Sequence, residues 1–304
     1  MSRNHFLFLL LPIAAGVACS SPTGSTGGTS QVPKILVADA GGNNRIDGFD
    51  NIQGSNWTTV TTPSPSSGAL DANGRIYVTD NSNNRIVRMD SISGAGSVPF
   101  GTTGAGTGQF SDPVGVFVDG SGKIYVADWG NNRIVRIDDM TGANWTVLPV
   151  SHPGAIFVDG TGRIYVAEYI DDRIDTFDDM SGLNPKAYGS QGNGVGQFSS
   201  PRGLFVDGTG RIYVADDLNN RVVRIDDIQG TNWAQVYRSS TSATDSLYGP
   251  AGVSIAGGKL YVTSYKSSQV VEMDPDMSGN NWTALGSHGT GVKQFGSPLG
   301  IVAH

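Results

Sequence analysis

The sequence predicts an all-β fold, a six-bladed β-propeller of four-stranded antiparallel blades, and three observations lead there. The segment Ile76-Tyr-Val-Thr-Asp-Asn-Ser-Asn-Asn-Arg-Ile86 recurs, with further copies beginning near Ile35, Ile124, Ile164, Ile212 and Leu260. Self-similarity at a period of roughly 40 to 50 residues marks radial or stacked units rather than one irregular core. The 304 residues include 43 Gly and only 15% charged residues, with hardly a run of helical period, the composition of short strands joined by tight turns.

Each repeat then divides into four strand-like runs. The third copy reads Pro113-Val-Gly-Val-Phe-Val-Asp119, Lys123-Ile-Tyr-Val-Ala-Asp128, Arg133-Ile-Val-Arg-Ile-Asp138 and Gly142-Ala-Asn-Trp-Thr-Val147. β-Branched and aromatic residues fill the runs, and Gly, Asp and Asn fill the gaps, as antiparallel hairpins require. Four such strands make one propeller blade. The first copy lacks its opening strand, because nothing like Pro-x-Gly-Val precedes Val32, whereas Ser297-Pro-Leu-Gly-Ile-Val-Ala-His304 is an opening strand with no sequel. The C-terminal strand is therefore expected to complete the N-terminal blade and close the ring, leaving no open sheet edge.

The N-terminus reads as an address. Arg3 precedes an apolar run from Phe6 to Ala15, and Gly16-Val-Ala18 leads into Cys19, the one cysteine of the chain. Residues 1–18 have the form of a secretory signal and are too short for a membrane span. The placement of Cys19 resembles a bacterial lipobox, although Gly16 stands where that pattern prefers a larger apolar residue. The resemblance implies cleavage before Cys19, its lipidation, and, with Ser20 following, delivery to the outer membrane. Residues 19–31 are Ser-, Thr-, Gly- and Pro-rich, a flexible tether that would hold the body about 20 Å from a lipid surface. The folded body is expected over residues 32–304; without a cysteine there, it must be held by packing rather than disulfides.

The run Pro-x-Gly-Val-x-Val-Asp, Gly-x-Ile-Tyr-Val-Ala-Asp, Asn-Asn-Arg-Ile resembles the NHL repeat from Val32 to His304. That resemblance implies a six-bladed propeller. It leaves function open, since RNA-binding, protein-binding, sensor and lyase proteins share the scaffold.

Most repeated polar residues have structural readings. An acid ends the second strand and an Arg opens the third in five repeats: Asp39 with Arg45, Asp80 with Arg85, Asp128 with Arg133, Glu168 with Arg173, and Asp216 with Arg221. The sixth has Ser264 and Gln269, so both ends change together, as expected of an ion pair bracing its own hairpin. A metal ring would need a repeat that keeps the acid and loses the Arg, and none does so. Asp119, Asp159 and Asp207, each followed by Gly-x-Gly, suit side-chain-capped turns. With Asp138-Asp139, Asp178-Asp179 and Asp226-Asp227 they give one face of the disc an acidic, solvated character. Trp57, Trp145, Trp233 and Trp282 recur in the outermost run and are expected to pack between blades. The triplets at Asn56, Asn144 and Asn281 match a glycosylation pattern but read as copies of a repeat element.

Function must lie in departures from the repeat. The loops joining second and third strands converge on one face with the connections between blades. There Trp129, Tyr169, Tyr265 and Lys266 differ from copy to copy, as do Asp171-Asp172 and Asp217-Leu218. His152, Arg202 and the segment Thr241 to Leu247 are expected near the channel mouth. Aromatic residues beside mixed charge suit a protein or an envelope polysaccharide, and the ligand-binding set is taken as Trp129, Tyr169, Tyr265, Lys266, Arg202 and His152. The alternative is a metal-dependent lyase or lactonase-type enzyme with a divalent cation at the channel mouth, drawing on His152, His288, His304 or Glu168. No cofactor and no catalytic residue is assigned, and a monomer that meets the membrane only through its lipid is expected. Removing residues 1–18 deletes Arg3 and no acid, taking the formal charge from −7 to −8. That balance lacks the basic footprint of a nucleic-acid binder.

Overall fold

The computed structural model describes residues 34–237 and 247–304; the signal, Cys19 and most of the segment Thr241 to Leu247 lie outside them. Six four-stranded antiparallel sheets form a ring. Blade three shows the pattern: Pro113–Val118 lines the channel, Ile124–Asp128 and Arg133–Ile137 follow, and Thr146–Pro149 is outermost. Residues of Ile124–Asp128 are buried throughout. Each blade is sandwiched between two others, so the second strand reads as a continuous apolar run rather than as a half-polar alternation.

The ring closes as the sequence predicts. Ser297–Ala303 is the inner strand of the blade that continues with Ile35–Ala40, Arg45–Phe49 and Thr58–Thr61, with Ile35 opposite Ala303 and Val37 opposite Ile301. Inner strands pack on one another around the channel, where Phe157 lies 5.4 Å from Phe117 and 5.6 Å from Phe205 between ring centroids. These three rings are almost wholly buried, each worth roughly 2 to 3 kcal/mol of apolar burial. The Pro-x-Gly opening has a steric cause: a Cβ on Gly203 would stand 2.4 Å from the Ala251 carbonyl oxygen, and one on Gly252 2.6 Å from that of Leu299.

All five acid–arginine pairs form. The distances are 2.7 Å for Asp80–Arg85 and Asp128–Arg133, 2.8 Å for Glu168–Arg173 and Asp216–Arg221, and 3.6 Å for Asp39–Arg45. Asp128 also accepts from the Ser111 backbone N–H and from Asn131, while Asn132 takes a left-handed φ of 53° in the turn.

A second, longer period emerges in space. Gly104-Ala-Gly-Thr-Gly-Gln-Phe110, Gly192-Asn-Gly-Val-Gly-Gln-Phe198 and Gly289-Thr-Gly-Val-Lys-Gln-Phe295 occupy alternate connections between blades. In each, the hairpin arginine of the next blade clamps the incoming chain: Arg133 donates to the carbonyls of Ala105 and Gln109, Arg221 to those of Asn193 and Gln197, and Arg45 to those of Thr290 and Gln294. The Phe of each motif packs on a tryptophan, Trp145, Trp233 or Trp57, at 5.4 to 5.5 Å. The four repeated tryptophans stand one residue ahead of the outermost strands rather than within them. That position lets Trp57, Trp145 and Trp233 cover the connection arriving from the preceding blade.

Asn56, Asn144 and Asn281 adopt φ of 53 to 55° and donate to Asp50, Asp138 and Asp274. They are turn residues, as the sequence implies. Among the described residues, no helix is long and apolar enough to cross a membrane.

Candidate functional site

The two faces of the disc differ in how their polar groups are spent. The turn face carries the connections from first to second and from third to fourth strands. Asp119, Asp159 and Asp207 each accept backbone N–H bonds at 2.8 to 3.2 Å through one oxygen, and a tyrosine hydroxyl, from Tyr125, Tyr165 or Tyr213, through the other. Burial and the adjacent Asp159 carboxylate push the Tyr165 phenol up to about 12. Hydrogen bonds from Thr141, Ser181 and Thr231 hold the carboxyls of Asp139, Asp179 and Asp227 below their ordinary range. These acids cap their own turns.

The channel mouth on this face is a depression of about 880 Å³ lined by Phe117, Phe157, Phe205, Ile255, the three capping aspartates and His304. The sequence reading took this face as acidic and solvated, sought the ligand site on the other face, and did not anticipate the depression. The Phe and Asp positions are repeat positions, so no departure from the pattern flags them.

On the loop face, the six predicted binding residues separate into two groups. Trp129 and His152 form one: their rings lie 5.5 Å apart at 58°, and His152 shares a 3.0 Å hydrogen bond with the Ser151 hydroxyl. Tyr169, Arg202, Tyr265 and Lys266 form the other, drawn from blades four, five and six. The position after the opening Pro of each inner strand is Ser66, Val114, Gly154, Arg202, Ala251 and Leu299, so blade five alone places a charge there.

Arg202 is only 6% exposed. Its guanidinium lies over the rings of Tyr169 and Tyr265, at 4.9 and 5.0 Å. Arg202 Nε donates to Asp217 Oδ2 at 2.6 Å, and Lys266 Nζ donates to Asp217 Oδ1 at 3.1 Å. Burial alone would lower both cations, but Asp217 and the tyrosines outweigh it and hold them above their ordinary ranges. The sequence pointed to exposed aromatics here, whereas Trp129, Tyr169 and Tyr265 are half-buried and Arg202 is buried. Stacking of the two tyrosines on the guanidinium explains their part of this: the rings sheath the charge that a channel-lining strand has carried inward.

Tyr248 was missed. It lies in the connection leading to blade six, 53% exposed, with Lys266 Nζ 5.3 Å from its ring. Its only sequence signal was its nearness to the irregular segment before Gly249. Ile170 and Leu218, each one residue beyond a member of the cluster, are 45% and 54% exposed.

Blades one and four carry a further acid, Asp47 and Asp175, two residues beyond the hairpin arginine, where blades two, three, five and six have Val87, Val135, Val223 and Val271. Asp47 stands 2.9 Å from Arg45, yet burial pushes its carboxyl up to about 7. Burial, and then the neighbouring Asp175 carboxyl, raise Glu168 as well. Glu168 therefore answers to Arg173 and Asp175. His288 pairs with the Ser268 hydroxyl at 3.3 Å, and His304 lies at the opposite channel mouth. Among the described residues, no three His, Cys, Asp or Glu side chains gather into a metal-holding set.

Comparisons with known proteins agree on the scaffold. The NHL repeat model matches residues 63–89 and 110–137. No curated protein matches the chain. Among solved structures, a chain of a nidogen/laminin complex superposes with a TM-score of 0.68 at 21% identity, covering 88% of this chain and 97% of that one. A streptogramin B lyase superposes at 0.60 and 17% identity, covering 86% and 81%. An inactive virginiamycin B lyase from Staphylococcus aureus with quinupristin superposes at 0.58 and 18%, covering 86% and 82%. At these identities the likeness is one of fold. The chain is a six-bladed propeller in which two stretches, 63–89 and 110–137, match the NHL repeat.

Proposed function

We propose that this chain is an exported, lipid-anchored binding module that docks a protein on the loop face over blades four to six. One observation carries the reading: the exposed apolar residues Ile170 and Leu218 directly follow Tyr169 and Asp217 in the chain, and the exposed Tyr248 ring lies 5.3 Å from Lys266 Nζ, so apolar side chains adjoin a fixed charge cluster built on buried Arg202 and Asp217. Apolar anchors around a rigid polar centre are what protein interfaces use, and a preformed site loses little entropy on binding. The signal, Cys19 and the tether would present the propeller outside the cytoplasm. The nidogen/laminin neighbour is a propeller within a protein complex, which fits a docking role. The enzyme alternative has the fold of the lyase neighbours in its favour and nothing in the arrangement of His152, His288 and Glu168.

The test is quantitative capture from cell-envelope fractions by the full-length protein and by an Ile170→Ala/Leu218→Ala/Tyr248→Ala variant. The variant is expected to retain at least about tenfold less of the protein partner, three lost anchors exceeding about 1.4 kcal/mol together. Equal retention by both contradicts the assignment, and capture of polysaccharide instead of protein replaces the partner class.

A further inference from the structure

Donors outnumber acceptors in the Arg202 cluster. The Asp217 carboxylate is committed on both oxygens, Oδ2 to Arg202 Nε at 2.6 Å and to the Tyr265 hydroxyl at 3.4 Å, Oδ1 to Lys266 Nζ at 3.1 Å. Arg202 Nη2 reaches the Tyr169 hydroxyl at 3.4 Å, while Nη1 is shut off from solvent with no acceptor. Among the described residues, two cations therefore share one anion, a local surplus of about +1 within a chain whose formal charge is −7. A buried guanidinium N–H without an acceptor is unfavourable, and such a group marks the place of a missing partner. The other blades supply no precedent, because the Arg202 position holds Ser66, Val114, Gly154, Ala251 or Leu299 there.

We propose that this cluster is a carboxylate receptor: an acidic side chain of the docked protein enters between Tyr169 and Tyr265, accepting from Arg202 Nη1 and Lys266. The inference rests on the reading of the loop face as a docking surface and specifies the chemistry at its centre. A carboxylate is planar, carries two acceptor oxygens and a single charge, and matches both the guanidinium fork and the local surplus. A doubly charged phosphate would exceed that surplus and stand against Asp217. Entry requires a turn of the Tyr169 ring, which stands on a hairpin tip of blade four and covers the guanidinium. Lys266 and Tyr248 form the exposed rim and would draw the acid inward.

The probes are two capped tripeptides, N-acetyl-Gly-Glu-Gly-amide and its Gln counterpart, titrated into the full-length protein while the Arg202 Nε–Hε resonance is followed by NMR. The Glu peptide is expected to shift that resonance and to bind about tenfold more tightly than the isosteric Gln peptide, with Lys266→Met removing most of the difference. Equal binding of the two peptides, or an unmoved resonance with both, overturns the proposal. Lys266→Met serves in place of an Arg202 variant because Lys266 is exposed and its loss leaves the core intact. In the capture assay, full partner retention by Lys266→Met overturns the carboxylate anchor alone, whereas full retention by the Ile170/Leu218/Tyr248 variant removes the docking face itself.

Discussion

The turn face and the loop face are built from the same repeats, yet they use polar residues in opposite ways. On the turn face, Asp119, Asp159 and Asp207 do one job three times, each closing its own turn. On the loop face, Asp217 holds Arg202 of its own blade and reaches across to Tyr265 and Lys266 of blade six, and no other blade has an Arg at the Arg202 position. Repetition marks a residue that the fold needs in every blade; a departure with its partners assembled from several blades marks one that it does not. The channel-mouth depression of about 880 Å³ lies on the repetitive face, so a concavity in a propeller need not coincide with departures from the repeat.

The contrast is broken most forcefully from the turn-face side. Phe157→Ala empties the space between Phe117 and Phe205 and should lower unfolding free energy by about 3 to 5 kcal/mol in urea titrations, while partner capture at a temperature where the ring stays folded is unchanged. Loss of capture by that folded variant would move function to the turn face.

Arg202→Val installs the residue type of blade three and leaves the buried Asp217 with only Lys266 among the described cations, with an expected loss of about 3 kcal/mol. Adding Asp217→Asn should restore most of that stability, because the buried charge has gone, without restoring capture. Recovery of both together would mean that Arg202 acts only through stability.

The extra acid of blade one gives a pH signature. Burial raises the Asp47 carboxyl from its ordinary 3.8 to about 7 in the folded state, so folding takes up a proton. Its contribution is full below about pH 4 and is lost as pH rises toward 7. Asp47→Asn should flatten this fall in thermal or urea unfolding. Parallel pH profiles for the two proteins would show that Arg45, at 2.9 Å, keeps Asp47 ionised.

The smallest effect is expected from one turn cap. Asp119→Ala removes the bonds to Ser121, Lys123 and Tyr125 and should lower stability by about 1 kcal/mol, the size of a typical net hydrogen-bond contribution. Capture should not respond, and a response would show that the turn-face acids do more than hold their turns.

Architecture was legible because the repeat exposes it at every level. Strand runs, turn residues, the hairpin pairs and even the closure by Ser297–Ala303 are local or near-local features, written several times over. The clamp of Arg133, Arg221 and Arg45 on alternate connections was also written in the chain, at a two-blade spacing that alignment on one blade conceals. The loop-face cluster was half legible. Tyr169, Arg202, Tyr265 and Lys266 stood out as departures, but alignment of the repeats does not show that Asp217, on the same hairpin as Arg202, ties them together across the boundary between blades five and six. Trp129 and His152 stood out equally and fell together elsewhere. Tyr248 lay in a stretch with no repeat to depart from. The export signal, Cys19 and the tether are read from residue pattern alone.

The most direct test of a docking face over blades four to six is side-chain footprinting of the full-length protein with and without its envelope partner. Protection of Ile170, Leu218 and Tyr248, with Leu183 and Tyr237 as reactive as in the free protein, is the predicted result. Protection centred on Leu183, Tyr237 or the turn-face mouth, with Tyr248 still fully reactive, would contradict it.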